Sequence, residues 1–199
     1  MRAAAEESLA LATTHGFPFW EAGATIIRGF ALVRAGDADE GFPLVERGVA
    51  ALHMTGTLLA LPCYLTELAK ELARHGRLAD AERILAEAEA VADETGQHFW
   101  RPEILRLRGV LAASRGAARE GEASFREALA VASAQRAVLF ELRAAVALAT
   151  ALRDRRRVAD ARAVLAPVVR KLREGLALSE VTAARALLRD LERGRRAGT

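Results

Sequence analysis

The stretch AKELARHGRLADAERILAEAEAVA, residues 69 to 92, decides the fold. It reads as two helices separated by Gly76, with small Ala69 seven residues before that glycine and bulky Leu72 four before. Small Ala81 follows five after it and bulky Leu85 nine after. The same order recurs at steps of 40 residues. Gly36, Gly76 and Gly116 form a comb in which Arg156 takes the fourth place, and Gly16, Gly56 and Gly96 form a second comb completed by Arg136. Glycine accepts the left-handed backbone just past a helix end, so two interleaved combs of one period mark two helices per repeat.

Side-chain size around the combs repeats as well. Gly29, Ala69, Gly109 and Ala149 stand seven before the first comb, and Gly41, Ala81, Gly121 and Ala161 five after it. Small residues at both places let two helix backbones approach, while Val45, Leu85, Phe125 and Leu165, nine after, fill the space beside the crossing. The spacing predicts helices over about 2–15, 18–35, 38–55, 62–75, 78–95, 98–115, 118–135, 138–155, 158–173 and 179–193. Pro18, Pro62 and Pro102 suit first turns. Pro167 falls in a helix interior and predicts a bend or a fresh start there, and the last helix is expected to fold back over the final pair on Leu187, Leu188 and Leu191.

Composition narrows the class. The chain has 199 residues, 52% of them apolar and 28% charged, within the range of globular domains. No apolar run approaches the roughly 20 residues that span a bilayer, and the first twenty residues carry Glu6, Glu7 and His15 instead of a secretory apolar core; a cytoplasmic location is expected. The net charge of +3 is unevenly laid out: residues 1–100 hold 8 Lys and Arg against 15 Asp and Glu, whereas residues 101–199 hold 21 against 11. The runs Arg155-Arg156-Arg157 and Arg193-Gly194-Arg195-Arg196 lie at turn or terminal positions, where arginines are expected to be solvated.

Small, bulky and small again across two helices is the order of the tetratricopeptide repeat (TPR), which the whole chain resembles, with a period longer than the usual 34 residues. In the second half, WRPEILRLRGVLAASRG (100–116), EASFREALAVASAQRAVLFELRAAVALATALRDRRRVADARAVLAPVV (122–169) and LREGLALSEVTAARALLRDLE (172–192) resemble the carboxy-terminal repeat region of bacterial multidomain signalling ATPases. Those proteins are linked to adenylate or guanylate cyclase domains or are LuxR-type transcriptional regulators. The resemblance implies a regulatory binding role without catalysis, since the sequence has no GxxxxGK[ST] phosphate loop.

The residues that could carry chemistry are few. Lone Cys63 has no partner for a disulfide or zinc site and reads as a small buried side chain. His15, His53, His75 and His98 match no zinc spacing; His15 and His75 precede comb glycines, where imidazole meets the negative end of a helix dipole. Trp20, Trp100 and Phe140 recur four residues after the second comb and are expected to pack between repeats. No catalytic, cofactor or metal site is expected.

The expected fold is all-α, a right-handed α-α superhelix of TPR-like repeats over 17–56, 57–96, 97–136 and 137–175, with half-repeats at 2–15 and 179–193 and a disordered tail at 194–199, the whole of 1–193 forming one domain. The opening helix resembles the second member of a pair, so some apolar surface is expected at the amino-terminal end, open to self-association. Projecting the face of each first helix opposite its packing residues gives a partner-binding groove of Ile26, Phe30, Arg34, Lys70, Arg74, Arg106, Arg143 and Arg153, with Thr66, Glu103, Val110 and Thr150 beside them. Ile26 and Phe30 form its apolar entrance. Such a face suits a protein or peptide segment that is acidic or ends in a carboxylate, with a small effector as a further expectation. The rival reading is a nucleic-acid-binding array using the basic second half.

Overall fold

A computed structural model describes residues 2–175 and 177–196, with side chains described from Ala3 to Arg193 apart from Leu176. The described residues form ten α-helices: α1 (Arg2–His15), α2 (Pro18–Ala35), α3 (Ala38–Met54), α4 (Leu61–Arg74), α5 (Leu78–Thr95), α6 (Arg101–Ser114), α7 (Ala118–Ala134), α8 (Val138–Asp154), α9 (Val158–Lys171) and α10 (Ser179–Arg196). They fall into two compact units, one holding α1–α5 and the other α6–α10.

The turns explain the period. Every comb position has positive φ, from +56° at Arg136 to +103° at Gly36, and Arg156 adopts +62°. After each first-comb residue, the next amide reaches back to the helix it has just left: Asp37 N–H to Leu32 C=O (3.0 Å), Arg77 to Leu72 (3.0 Å), Ala117 to Ala112 (2.9 Å) and Arg157 to Leu152 (2.9 Å). This is the left-handed cap that satisfies a carbonyl otherwise orphaned at a helix end. Arginine can hold the position at a modest conformational cost.

Each turn folds one helix against the next. In the first unit a Cβ placed on Gly29 would lie 2.8 Å from the Gly41 carbonyl oxygen and 2.8 Å from the Val45 nitrogen, so α2 and α3 touch backbone to backbone. In the second, the Phe125 ring of α7 occupies the space over Gly109 of α6. Leu142, Leu148 and Leu152 of α8 pack with Leu165 and Val168 of α9. Val181, Ala184 and Leu191 of α10 join this core, with Leu187 and Leu188 packed against it, so the last helix does cover the final pair.

Three expectations change. The sixth helix opens with a 3-10 turn, His98–Trp100, and α6 starts at Arg101; Pro102 has no amide with which to bond the His98 carbonyl, so regular α-helix begins only around it. Helix α9 runs through Pro167 as one element and does not restart. Pro167 and Ala163, whose carbonyl loses its partner, both lie on the exposed side, so the loss does not fall in the core. Helix α10 extends to Arg196, past the expected end at 193, and residues 197–199 of the expected tail lie outside the described residues.

The basic run at 155–157 is also not simply solvated. Glu122 of α7, well shielded, accepts hydrogen bonds from Arg126 (2.9 Å), Arg155 (2.9 Å) and Arg157 (2.9 Å), which ties α7 to the turn between α8 and α9. The hydrogen bond from Arg126, then that from Arg157, holds the Glu122 carboxyl below its ordinary pKa of 4.5 against the opposing effect of desolvation. A lowered carboxylate pKa contributes stability that is present above the unfolded value and lost as pH falls through the folded one. Glu122→Gln is therefore expected to lower Tm at pH 7, with the gap to the parent closing as the pH falls below about 4. Melting curves read by circular dichroism at a series of pH values check this; a gap that persists in acid would contradict it.

Candidate functional site

Helices α2 and α4 bring four of the eight projected residues together in the first unit. Arg34 Nε donates to Glu71 Oε1 at 2.8 Å and its Nη2 to Glu67 Oε2 at 3.0 Å, crossing from α2 to α4. Lys70 Nζ donates to Glu67 at 2.9 Å, and Arg74 Nη1 to Glu71 Oε2 at 3.2 Å. The Arg34 guanidinium also lies 5.6 Å from the centroid of the Phe30 ring. Three cations thus share two carboxylates. Glu71, 1% exposed, is the buried hinge of the network, while Arg74 at 67% is its most open member. The spacing Glu67, Lys70, Glu71, Arg74 on one helix follows the i, i+3 and i, i+4 rule and accounts for the pairs within α4, but not for the link to Arg34 on α2.

The projected apolar entrance is not at the surface. Ile26 is 0% exposed and packs against the place where Gly48 lacks a side chain, and Phe30 is buried beneath Arg34. Projection from an ideal helix misplaces them because Gly48 of α3 makes room for Ile26 and the Arg34 side chain closes over the Phe30 ring. Exposed apolar groups lie elsewhere in this unit: Phe17 before α2, Trp20 in its first turn at 66% exposure, and Leu59 ahead of α4 at 71%. Trp20 packs edge-on to Phe19, with centroids 5.1 Å apart, and is not the buried inter-repeat ring its spacing suggested. Trp100 is half-buried, and only Phe140 of that series is buried.

The other projected residues, in the second unit, are held separately. Arg106 grips Glu103 of its own helix through Nε (2.9 Å) and Nη2 (2.8 Å), with both side chains well shielded. Arg143 of α8 lies over Phe140 and pairs with Glu180 at the start of α10 at 2.8 Å. Arg153 pairs with the adjacent Asp154 at 2.8 Å. Of the residues beside the projected groove, Thr66 and Glu103 are buried.

The remaining reactive groups are quiet. Cys63 is half-buried, and burial first, then the nearby Glu67 carboxylate, pushes its thiol up to about 11, so it carries almost no thiolate near neutral pH. His75 lies edge-on to Phe42, His53 is 3.6 Å from Glu87 and His98 3.6 Å from Asp93. Among the described residues no group of three or more His, Cys, Asp or Glu could hold a metal ion, and no helix is long and apolar enough to cross a membrane.

No protein-family model and no curated protein matches the chain. Among solved structures it is similar to nearly identical TPR-like repeats from a candidate kinesin light chain of Podosopora anserina, at TM-score 0.65 and 19% identity over 88% of each chain. A point variant of that protein is similar at TM-score 0.66 and 19% identity, over 88% of this chain and 87% of the other. At that identity the likeness concerns the fold: the chain is an all-α protein of TPR-like helical repeats.

Proposed function

We propose that this chain is a non-catalytic protein-binding scaffold whose α2–α4 face takes an extended acidic segment with an apolar anchor. One observation carries the reading. Trp20 and Arg34 stand 14 residues apart on α2, four turns less about 40°, so they project from one side of the helix some 21 Å apart along it. An exposed aromatic marks one end of that side and a lattice with one cation in excess of its carboxylates marks the other. About six or seven extended residues span the interval. The cation excess stands out because residues 1–100 are otherwise acidic. In the finer form of the proposal the chain is the regulatory repeat region of a cytoplasmic bacterial signalling or transcription-regulatory protein, supported by the resemblance of residues 100–192.

The test is fluorescence anisotropy with a labelled peptide bearing one Trp followed by six Glu. Binding is expected to weaken by about tenfold in Lys70→Ala/Arg74→Ala and by a similar factor in Trp20→Ala, and to fall steeply with salt. Thermal stability should fall only modestly, because Arg34 stays paired with both Glu71 and Glu67 when the other two cations are removed. Arg106 is unsuitable for such a test because reversing it would set two carboxylates together out of water. Unchanged affinity in both variants would overturn the reading, and a mobility shift with nonspecific duplex DNA at low salt would favour the nucleic-acid alternative.

A further inference from the structure

A cleft of about 520 Å³ opens in the first unit between the end of α1, the first half of α2 and the second half of α3, away from the acidic-peptide face. Its apolar wall includes Leu9, Ala22, Leu44 and Ala51, and its charged groups are Arg28, Arg47 and Glu21. Volumes of roughly 300 to 1,000 Å³ with an apolar lining and a few convergent polar groups are typical of small-molecule sites.

Arg28 supplies the observation that points to a ligand. Its Nε is shielded from solvent and has no hydrogen-bond partner, the one such buried side-chain nitrogen or oxygen among the described residues. Its Nη2 lies 3.8 Å from Glu40 Oε1, beyond hydrogen-bond range. A shielded donor without an acceptor is costly, and because the Arg28 side chain as a whole is 31% exposed, a rotation of the guanidinium would turn its donors toward an anion seated in the cleft. The antiparallel register that sets Gly29 against Val45, and Ile26 against Gly48, puts Arg47 across from Arg28, so two arginines stand at the same end. Glu21 lies seven residues before Arg28, two turns or about 10.5 Å along α2, and marks the opposite end with negative charge.

We propose that this cleft binds a small organic monocarboxylate: the carboxylate is taken by Arg28 and Arg47, and an apolar chain lies along Leu9, Ala22 and Ala51 toward Glu21. A guanidinium fork matches a carboxylate in geometry and charge. Glu21 makes the site selective, because a dicarboxylate of similar length would set its second charge beside a like one. This site does not depend on the peptide-binding face.

Isothermal titration calorimetry with octanoate, octanol, octanedioate and inorganic phosphate tests it. Octanoate is expected to bind at least about tenfold more tightly than the other three. Arg28→Gln should weaken octanoate by about tenfold, and Arg28→Lys, which keeps the charge but loses the Nε donor, by less. Ala51→Trp, at an exposed position on the wall, should abolish binding by filling the cleft while circular dichroism stays unchanged; it decides the matter should Arg28→Gln fold poorly. Equal binding of octanol, equal binding of phosphate, no binding of octanoate at millimolar concentration, or undiminished binding to Ala51→Trp would each overturn the proposal.

Discussion

Gly29→Ala is expected to destabilise the first unit by about 1 to 3 kcal/mol, although alanine is the better helix former. Replacing a mid-helix glycine by alanine gains about 0.5 to 1 kcal/mol in propensity. Here the added methyl would lie 2.7 Å from Val45 Cγ2 and 2.8 Å from both the Gly41 oxygen and the Val45 nitrogen. The last two are backbone atoms held in helix α3, so relief requires the two helices to part, and overpacking of that kind costs about 1 to 3 kcal/mol or more. Gly41→Ala meets the reciprocal backbone contacts, Val33 N at 2.7 Å and Gly29 O at 2.8 Å, and should behave alike. Gly109→Ala should cost less, because its two closest contacts are with the Phe125 ring, a side chain that can turn. Urea unfolding of the three variants checks the order; a Gly29→Ala protein as stable as the parent would show that α2 and α3 are not in backbone contact.

Leu152→Ala is expected to lower stability by about 2 to 5 kcal/mol, the range for emptying a buried leucine site. Leu152 is 0% exposed and packs in the α8–α9–α10 core with Leu148, Leu165 and Val168. The equivalent position one repeat earlier holds Ala112 without a comparable defect, because that repeat has Phe125 nine residues after the comb where the last has Leu165. The larger ring lies over Gly109, which gives it room. Leu165→Phe should therefore fail to restore Leu152→Ala fully, since Ala149 occupies the place of Gly109. Full recovery in the double variant, read from denaturation midpoints, would contradict this account of the trade.

The same pair of repeats shows what was legible before folding. Size at fixed distances from the comb is local information: a helix end needs a left-handed residue whatever lies around it, and two helices joined by a short turn must cross where their side chains are small. Gly36, Gly76, Gly116 and Arg156 accordingly all adopt positive φ, and the helices begin and end within a few residues of expectation. The candidate site was legible only in part. Arg34, Lys70 and Arg74 could be placed on one face from spacing, but Glu71 as the buried acceptor between α2 and α4 could not, because it depends on how two chain segments 37 residues apart settle against each other.

The sequence by itself thus determined the number of helices, their turns and the places of closest approach, since each follows from backbone conformation and side-chain volume within one repeat. Tertiary structure alone decided which side chains remain available to a partner. It buried Ile26 and Phe30, left Trp20 and Leu59 outside, and withheld a hydrogen-bond acceptor from Arg28 Nε, because exposure and hydrogen-bond satisfaction depend on what neighbouring helices cover.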